Sequence, residues 1–147
     1  EERAAGFAER ATSFGAAKPQ VISAAAFTFD AAYAAALKAL KARGPSKPLP
    51  TAIFCANDLM AAGALRAARE AELHVPRDLS VIGFDDIAMS RYTDPPLTTI
   101  GVVKEHLGRR AMGLLIERIQ GSTAKPSSEL APVSLVARSS TAAPSAR

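Results

Sequence analysis

A chain of 147 residues with 48% hydrophobic and 22% charged side chains has the size and composition of one ordinary soluble, globular domain. No apolar run is long enough to span a membrane, and the first ten residues, EERAAGFAER, lack the apolar core of a signal peptide. The net charge of +4 is spread along the chain, with no basic run interleaved with aromatics and no helix-turn-helix pattern, which argues against nucleic-acid reading by this chain alone.

In chain order, residues 1–13 read as a helix, with Ala4, Phe7, Ala8 and Ala11 as its apolar stripe and Gly15 as its stop. Residues 20–23 are a short strand candidate. Thr28 is the expected N-cap of a helix over 30–42, with Tyr33, Leu37 and Leu40 on one side. Gly44 and Pro45 stop that helix, and Lys47-Pro48-Leu49-Pro50 makes a stiff loop. The apolar run 52–56 then predicts a strand, and its lone cysteine, Cys55, reads as a small core residue suited to a reducing cytoplasm. Asp58 is expected to cap an Ala-rich helix over 59–72. Val75-Pro76-Arg77-Asp78 turns into a second core strand at 81–84. A long loop over 86–96 ends in extended Asp94-Pro95-Pro96-Leu97. A strand over 98–102, a helix over 104–120 with Leu107, Leu114 and Leu115 on its apolar face, a polar loop and a last strand over 133–137 complete the pattern, followed by a frayed tail. Helix and strand alternate, as in an α/β fold with a mainly parallel sheet.

The functional signal lies at the two central strand ends. Asn57-Asp58 follows the first and Asp85-Asp86 the second. Ligands of parallel open sheets bind beyond the carboxyl ends of the strands. Asp85 is either a loop-ordering carboxylate or an acceptor for ligand hydroxyls, and Asn57 both donates and accepts through one side chain, which suits a polyol. Asp58 and Asp86 read as structural. From the residues alone Arg3 is a solvated helix residue and Phe27 a core or staple residue. His74 and His106, the only histidines, lack metal-ligand spacing and read as surface residues. No nucleophile–base pattern supports an enzyme, and no cofactor is called for.

Six segments, RAAGF, AFTFDAAYAAALKAL, PTAIFCANDLMAAGALRAARE, VPRDLSVIGFDDI, PPLTTI and PVSLVARSST, resemble in order and spacing the effector-binding region of the LacI/GalR transcriptional regulators, over nearly the whole chain. The resemblance implies a Rossmann-like three-layer α/β sandwich with a mainly parallel sheet, similar to periplasmic binding proteins. Residues 1–97 and 122–141 would form the C-terminal subdomain, lacking its first strand. Residues 98–121 would belong to the N-terminal subdomain, and 142–147 to a flexible tail.

The same resemblance assigns effector contacts to Asp85, Asn57 and Arg3, the last as the arginine before xxGF. It gives Phe27 an aromatic packing role on the effector, with Phe29 as the neighbouring competitor. It implies a sugar or related effector, operator DNA bound only through an N-terminal domain outside this chain, no membrane, a cytoplasmic location, and a homodimer using the second apolar side of the 59–72 helix (Ala62, Leu65) with Arg91 and Tyr92. The apolar face of the 104–120 helix is then expected to pack on another chain or to be displaced. The alternatives are a periplasmic-type sugar-binding protein of the same fold and, last, an enzyme using Asp85 and Asp58 as acid and base.

Overall fold

The structure is a computed structural model that describes residues 2–42, 44, 49–122 and 128–143. Glu1, Pro45 as a helix stop, the Lys47-Pro48 part of the stiff loop, residues 123–127 of the polar loop and the end of the tail at 144–147 lie outside the described residues.

Helix α1 (Glu2–Ser13) ends before Gly15, which supplies the positive φ of 76° that closes the turn. The strand expected at 20–23 does not form, and Val21 and Ile22 are exposed. A strand needs a pairing edge as well as a local preference, and among the described residues no edge reaches these four. Helix α2 (Phe29–Lys41) starts where Thr28 caps it, its hydroxyl accepting from the Ala31 amide at 3.3 Å. Strand β1 (Ala52–Phe54), helix α3 (Asp58–Glu70) and strand β2 (Ser80–Asp85) form a parallel crossover unit. The expected long loop contains a 3-10 turn at Ala88–Arg91. Strand β3 (Thr98–Val102), helix α4 (Lys104–Ile119) and strand β4 (Val133–Val136) follow.

The four strands lie in the order β1-β2-β3-β4, parallel except for the antiparallel β3–β4 pair. Strand side chains alternate between faces. Ile53, Cys55 and Val81 meet α3 and α2, whereas Phe54 on the opposite face stacks on Phe7 of α1 at 5.1 Å. The sheet is thus the middle of three layers. β1 is less buried than its unbroken apolar run suggests, with Ala52 exposed and Ile53 and Phe54 half-buried, because it lies at the end of the sheet order.

The core is the wedge between α2, α3 and one sheet face. Leu40, Leu79, Val81 and Leu97 are fully buried, each contributing about 1.5–3 kcal/mol on removal from water. Alanines 61, 64, 67 and 68 let the two helices approach closely. The approach is tightest at Gly63, where an added Cβ would lie 2.4 Å from the Phe29 carbonyl oxygen. Ala62 and Leu65 are buried within the chain, so they are not the partner-facing side of α3. Of the residues expected at that interface, Tyr92 stands 84% exposed.

Helix α4 has no buried residue, and Leu107, Met112, Leu115, Ile116 and Ile119 are exposed. Leu114 is half-buried, and among the described residues nothing covers the rest of the helix's apolar face.

Candidate functional site at the strand ends

The carboxyl ends of β1, β2 and β3 point the same way and bring Asn57, Asp85 and Val102 to one edge of the sheet. Arg3 reaches this edge from α1. Its guanidinium donates to the Ala56 carbonyl at 2.6 Å and lies 3.9 Å over the Phe84 ring. One planar cation therefore spans the ends of β1 and β2, a use that a lysine ammonium would not reproduce. The assignment of Arg3 as a merely solvated residue does not describe this position, although its side chain stays exposed.

Asn57, and not Asp58, is the N-cap of α3. Its Oδ1 accepts from the Met60 amide at 2.8 Å, which leaves the amide nitrogen to donate elsewhere. Asp58 is instead the first residue of the helix and is only 1% exposed. Its carboxylate accepts from the Ile87 amide at 2.8 Å, the Ser90 hydroxyl at 2.7 Å and the Thr99 hydroxyl at 2.5 Å. A buried carboxylate needs such donors to offset its lost hydration. Gly83 makes room for it, since a Cβ there would lie 2.2 Å from Asp58 Oδ1. Asp58 thus ties α3 to β3 and to the segment after β2, and it is unavailable as a catalytic acid or base.

Asp85 ends β2, half-buried, with φ at 106°, and Asp86 follows at 46°. Two successive non-glycine residues at positive φ cost on the order of 1–3 kcal/mol each and persist only where neighbours over-determine them. Among the described residues the Asp85 carboxylate has no protein partner, while the Asp86 carboxylate accepts from Arg138 at 2.7 Å. Arg138 also donates to the Leu97 carbonyl at 2.8 Å and is largely buried. The Lys104 ammonium donates to the carbonyl oxygens of both Asp85 and Asp86.

Phe27 lies apart from this group in the bends before α2, 71% exposed and neither core nor staple. Phe29 belongs to α2 and faces α3, its ring 6.0 Å from the Arg66 guanidinium. The structure therefore brings Arg3, Asn57 and Asp85 to one edge, with no contact among the described residues joining Phe27 to them. The anchors Lys104 and Arg138 have no signal in the sequence, because each acts across a separation that local spacing does not encode; Asp58 is structural, as expected, but through these distant partners and not as the cap. Burial, and then the Asp58 charge, push the Cys55 thiol up to about 12, which fits an inert core cysteine. His74 and His106 are exposed, and among the described residues no group of His, Cys, Asp and Glu is placed to hold a metal ion.

Comparison with known proteins places this geometry. Residues 1–141 match the periplasmic binding protein-like domain. The chain is 44% identical over 125 residues to the HTH-type transcriptional repressor CytR of Escherichia coli K12, covering 85% of this chain and 36% of the repressor. It superposes with a TM-score of 0.84 and 34% identity on the transcriptional regulator CelR–cellobiose complex, over 95% of this chain and 42% of that one. On the lac repressor dimer bound to operator and the anti-inducer ONPF, the TM-score is 0.82 and the identity 35%, over 96% of this chain and 47% of that one. The chain thus spans less than half the length of each of these proteins, which are transcription regulators and not enzymes. It belongs to the periplasmic binding protein-like domain family, in the form that serves LacI/GalR-type transcriptional regulators as their effector-binding region.

Proposed function

We propose that the chain forms one wall of the effector site of a bacterial transcriptional regulator, and that the effector is a sugar or a closely related polyol derivative. Asp85 accepts hydrogen bonds from the hydroxyls, the Asn57 amide nitrogen donates, and Arg3 presents its remaining guanidinium donors to ring or hydroxyl oxygens. Phe27, already solvent-exposed, closes over the apolar face of the ring. The observation that carries this reading is the Asp85 carboxylate, held at a strand end on a backbone at positive φ and without a protein partner among the described residues. A structural relative whose complex contains cellobiose supports a sugar.

The second wall of the site, and an operator-binding domain, belong to the remainder of the regulator, which works as a cytoplasmic homodimer. The exposed Tyr92 next to the 3-10 turn contributes to the subunit contact, in line with the dimeric lac repressor relative. The effector acts by preferring one relative arrangement of the two walls, since a ligand with equal affinity for both arrangements shifts nothing. The test is operator binding by the full-length regulator, followed by fluorescence anisotropy across a panel of mono- and disaccharides and nucleosides. One sugar is expected to change operator affinity by roughly 5–150-fold. A response confined to nucleosides or nucleobases would refute the sugar assignment, and no response to any compound would refute the regulator mechanism.

A further inference from the structure

Three side chains from different parts of the chain converge on residues 85–87, at the end of β2 and just beyond it. Asp58, at the start of α3, takes the Ile87 amide, and Arg138, just after β4, takes the Asp86 carboxylate. Lys104, in the first turn of α4, takes the Asp85 and Asp86 carbonyls. The first two are buried or nearly so and belong to the permanent fold. Lys104 differs in both respects. It is exposed, and it sits on a helix with no buried residue. Arg110 of the same helix also reaches beyond it, its Nε donating to Glu129 at 2.7 Å.

An ammonium with three donors is well matched to two adjacent carbonyl oxygens. Carbonyls of successive residues point the same way only when the backbone leaves its extended form, and here both residues lie at positive φ. The cation therefore stabilises the conformation that Asp85 and Asp86 would otherwise tend to leave.

We infer that Lys104 is a positioning residue: its ammonium locks the Asp85–Asp86 backbone at positive φ, so that the placement of α4 sets the aim of the Asp85 carboxylate. The lock itself depends only on the contacts above. Its consequence for ligand binding rests on the proposed effector site. Whatever displaces the start of α4 withdraws the cation and frees the strand end. The link runs in both directions, because an interaction that favours one state of Asp85 favours the matching state of α4 equally.

The experiment compares the isotope-labelled chain with its Lys104→Met, Lys104→Arg and Lys41→Met variants by solution NMR. Lys41 is an exposed lysine paired with Glu70 away from the strand ends, and serves as the control. The readouts are the carbonyl carbon resonances of Asp85 and Asp86 and the amide-to-α couplings that report φ. In Lys104→Met both carbonyl resonances are expected to shift and both couplings to move toward averaged values. Lys104→Arg should restore them in large part, and Lys41→Met should leave them unchanged. Thermal midpoints should stay close to that of the parent, which separates positioning from general destabilisation. Unchanged carbonyl resonances and couplings in Lys104→Met would overturn the inference. Calorimetry with cellobiose on the full-length regulator adds a separate arm: weaker binding by Lys104→Met is expected. If the parent binds neither cellobiose nor any sugar of the panel above, the effector reading fails while the NMR result still decides the lock.

Discussion

Helices α3 and α4 are of similar length and both follow a strand of the same sheet, yet eight of the 13 residues of α3 are buried and none of the 16 in α4 is. The difference is written in side-chain size. The inner positions of α3 are Ala61, Ala62, Gly63, Ala64, Ala67 and Ala68, which let α2 and the sheet approach to backbone contact. The apolar residues of α4 include Leu107, Met112, Leu115, Ile116 and Ile119, large groups left exposed among the described residues. One helix is covered within the described residues, and the other is not. The proposed effector site adjoins the starts of both, with Asn57 capping α3 and Lys104 opening α4.

The sharpest way to break that comparison is to cut the same side chain from each helix. Leu65→Ala in α3 is expected to cost about 2–5 kcal/mol of unfolding free energy, measured by urea titration. Leu115→Ala in α4 should change the stability of this chain by less than about 0.5 kcal/mol, and a large loss there would mean that α4 is already packed. In the full-length regulator the same Leu115→Ala should become destabilising if the missing surface covers it. Next in size, Gly63→Ala should cost about 1–3 kcal/mol by overpacking against the Phe29 carbonyl; a neutral result would show that α2 and α3 are further apart than described.

The smallest effect concerns acid pH. The Tyr33 hydroxyl, and then Lys41, hold the Glu70 carboxyl below its usual value at the α2–α3 contact. Arg110 does the same for Glu129 beside α4. A lowered folded-state pKa means stability that is present above the unfolded value, near about 4, and lost as pH falls through the folded value. Both carboxylates are exposed, so the gain is slight. Melting curves across that acid range should lose a little less stability in Glu70→Gln than in the parent chain, and an identical acid slope would dismiss the Tyr33–Glu70 contribution.

Much of the fold was legible because it is local. Hydrophobic periodicity marks α1, α2, α3 and α4, the Thr28 cap declares itself, and the β3 boundaries follow from the Pro95-Pro96 stop and the Thr98–Val102 run. The misreadings were non-local. Residues 20–23 have strand composition but no edge to join. Asn57 and Asp58 are equally good capping residues, and the choice between them is made by Ile87, Ser90 and Thr99, which need a buried acceptor from far along the chain. The interface expected on Ala62 and Leu65 meets the same obstacle, since the sequence does not say that both side chains are already buried within the chain. At the site, the resemblance assigns Arg3 to the effector, but its contacts with Ala56 and Phe84 are encoded neither there nor in any helical pattern around Arg3. The positive φ at Asp85 and Asp86 left no mark in the sequence, because neither residue is the glycine that would announce it.

The most direct test of the effector site is calorimetric titration of the full-length regulator and its Asp85→Ala variant with the sugar that binds the parent most tightly. A site organised on the Asp85 carboxylate predicts at least about a tenfold loss of affinity, or roughly 1.4 kcal/mol, with operator affinity in the absence of sugar unchanged. Equal affinity in the two proteins would contradict it.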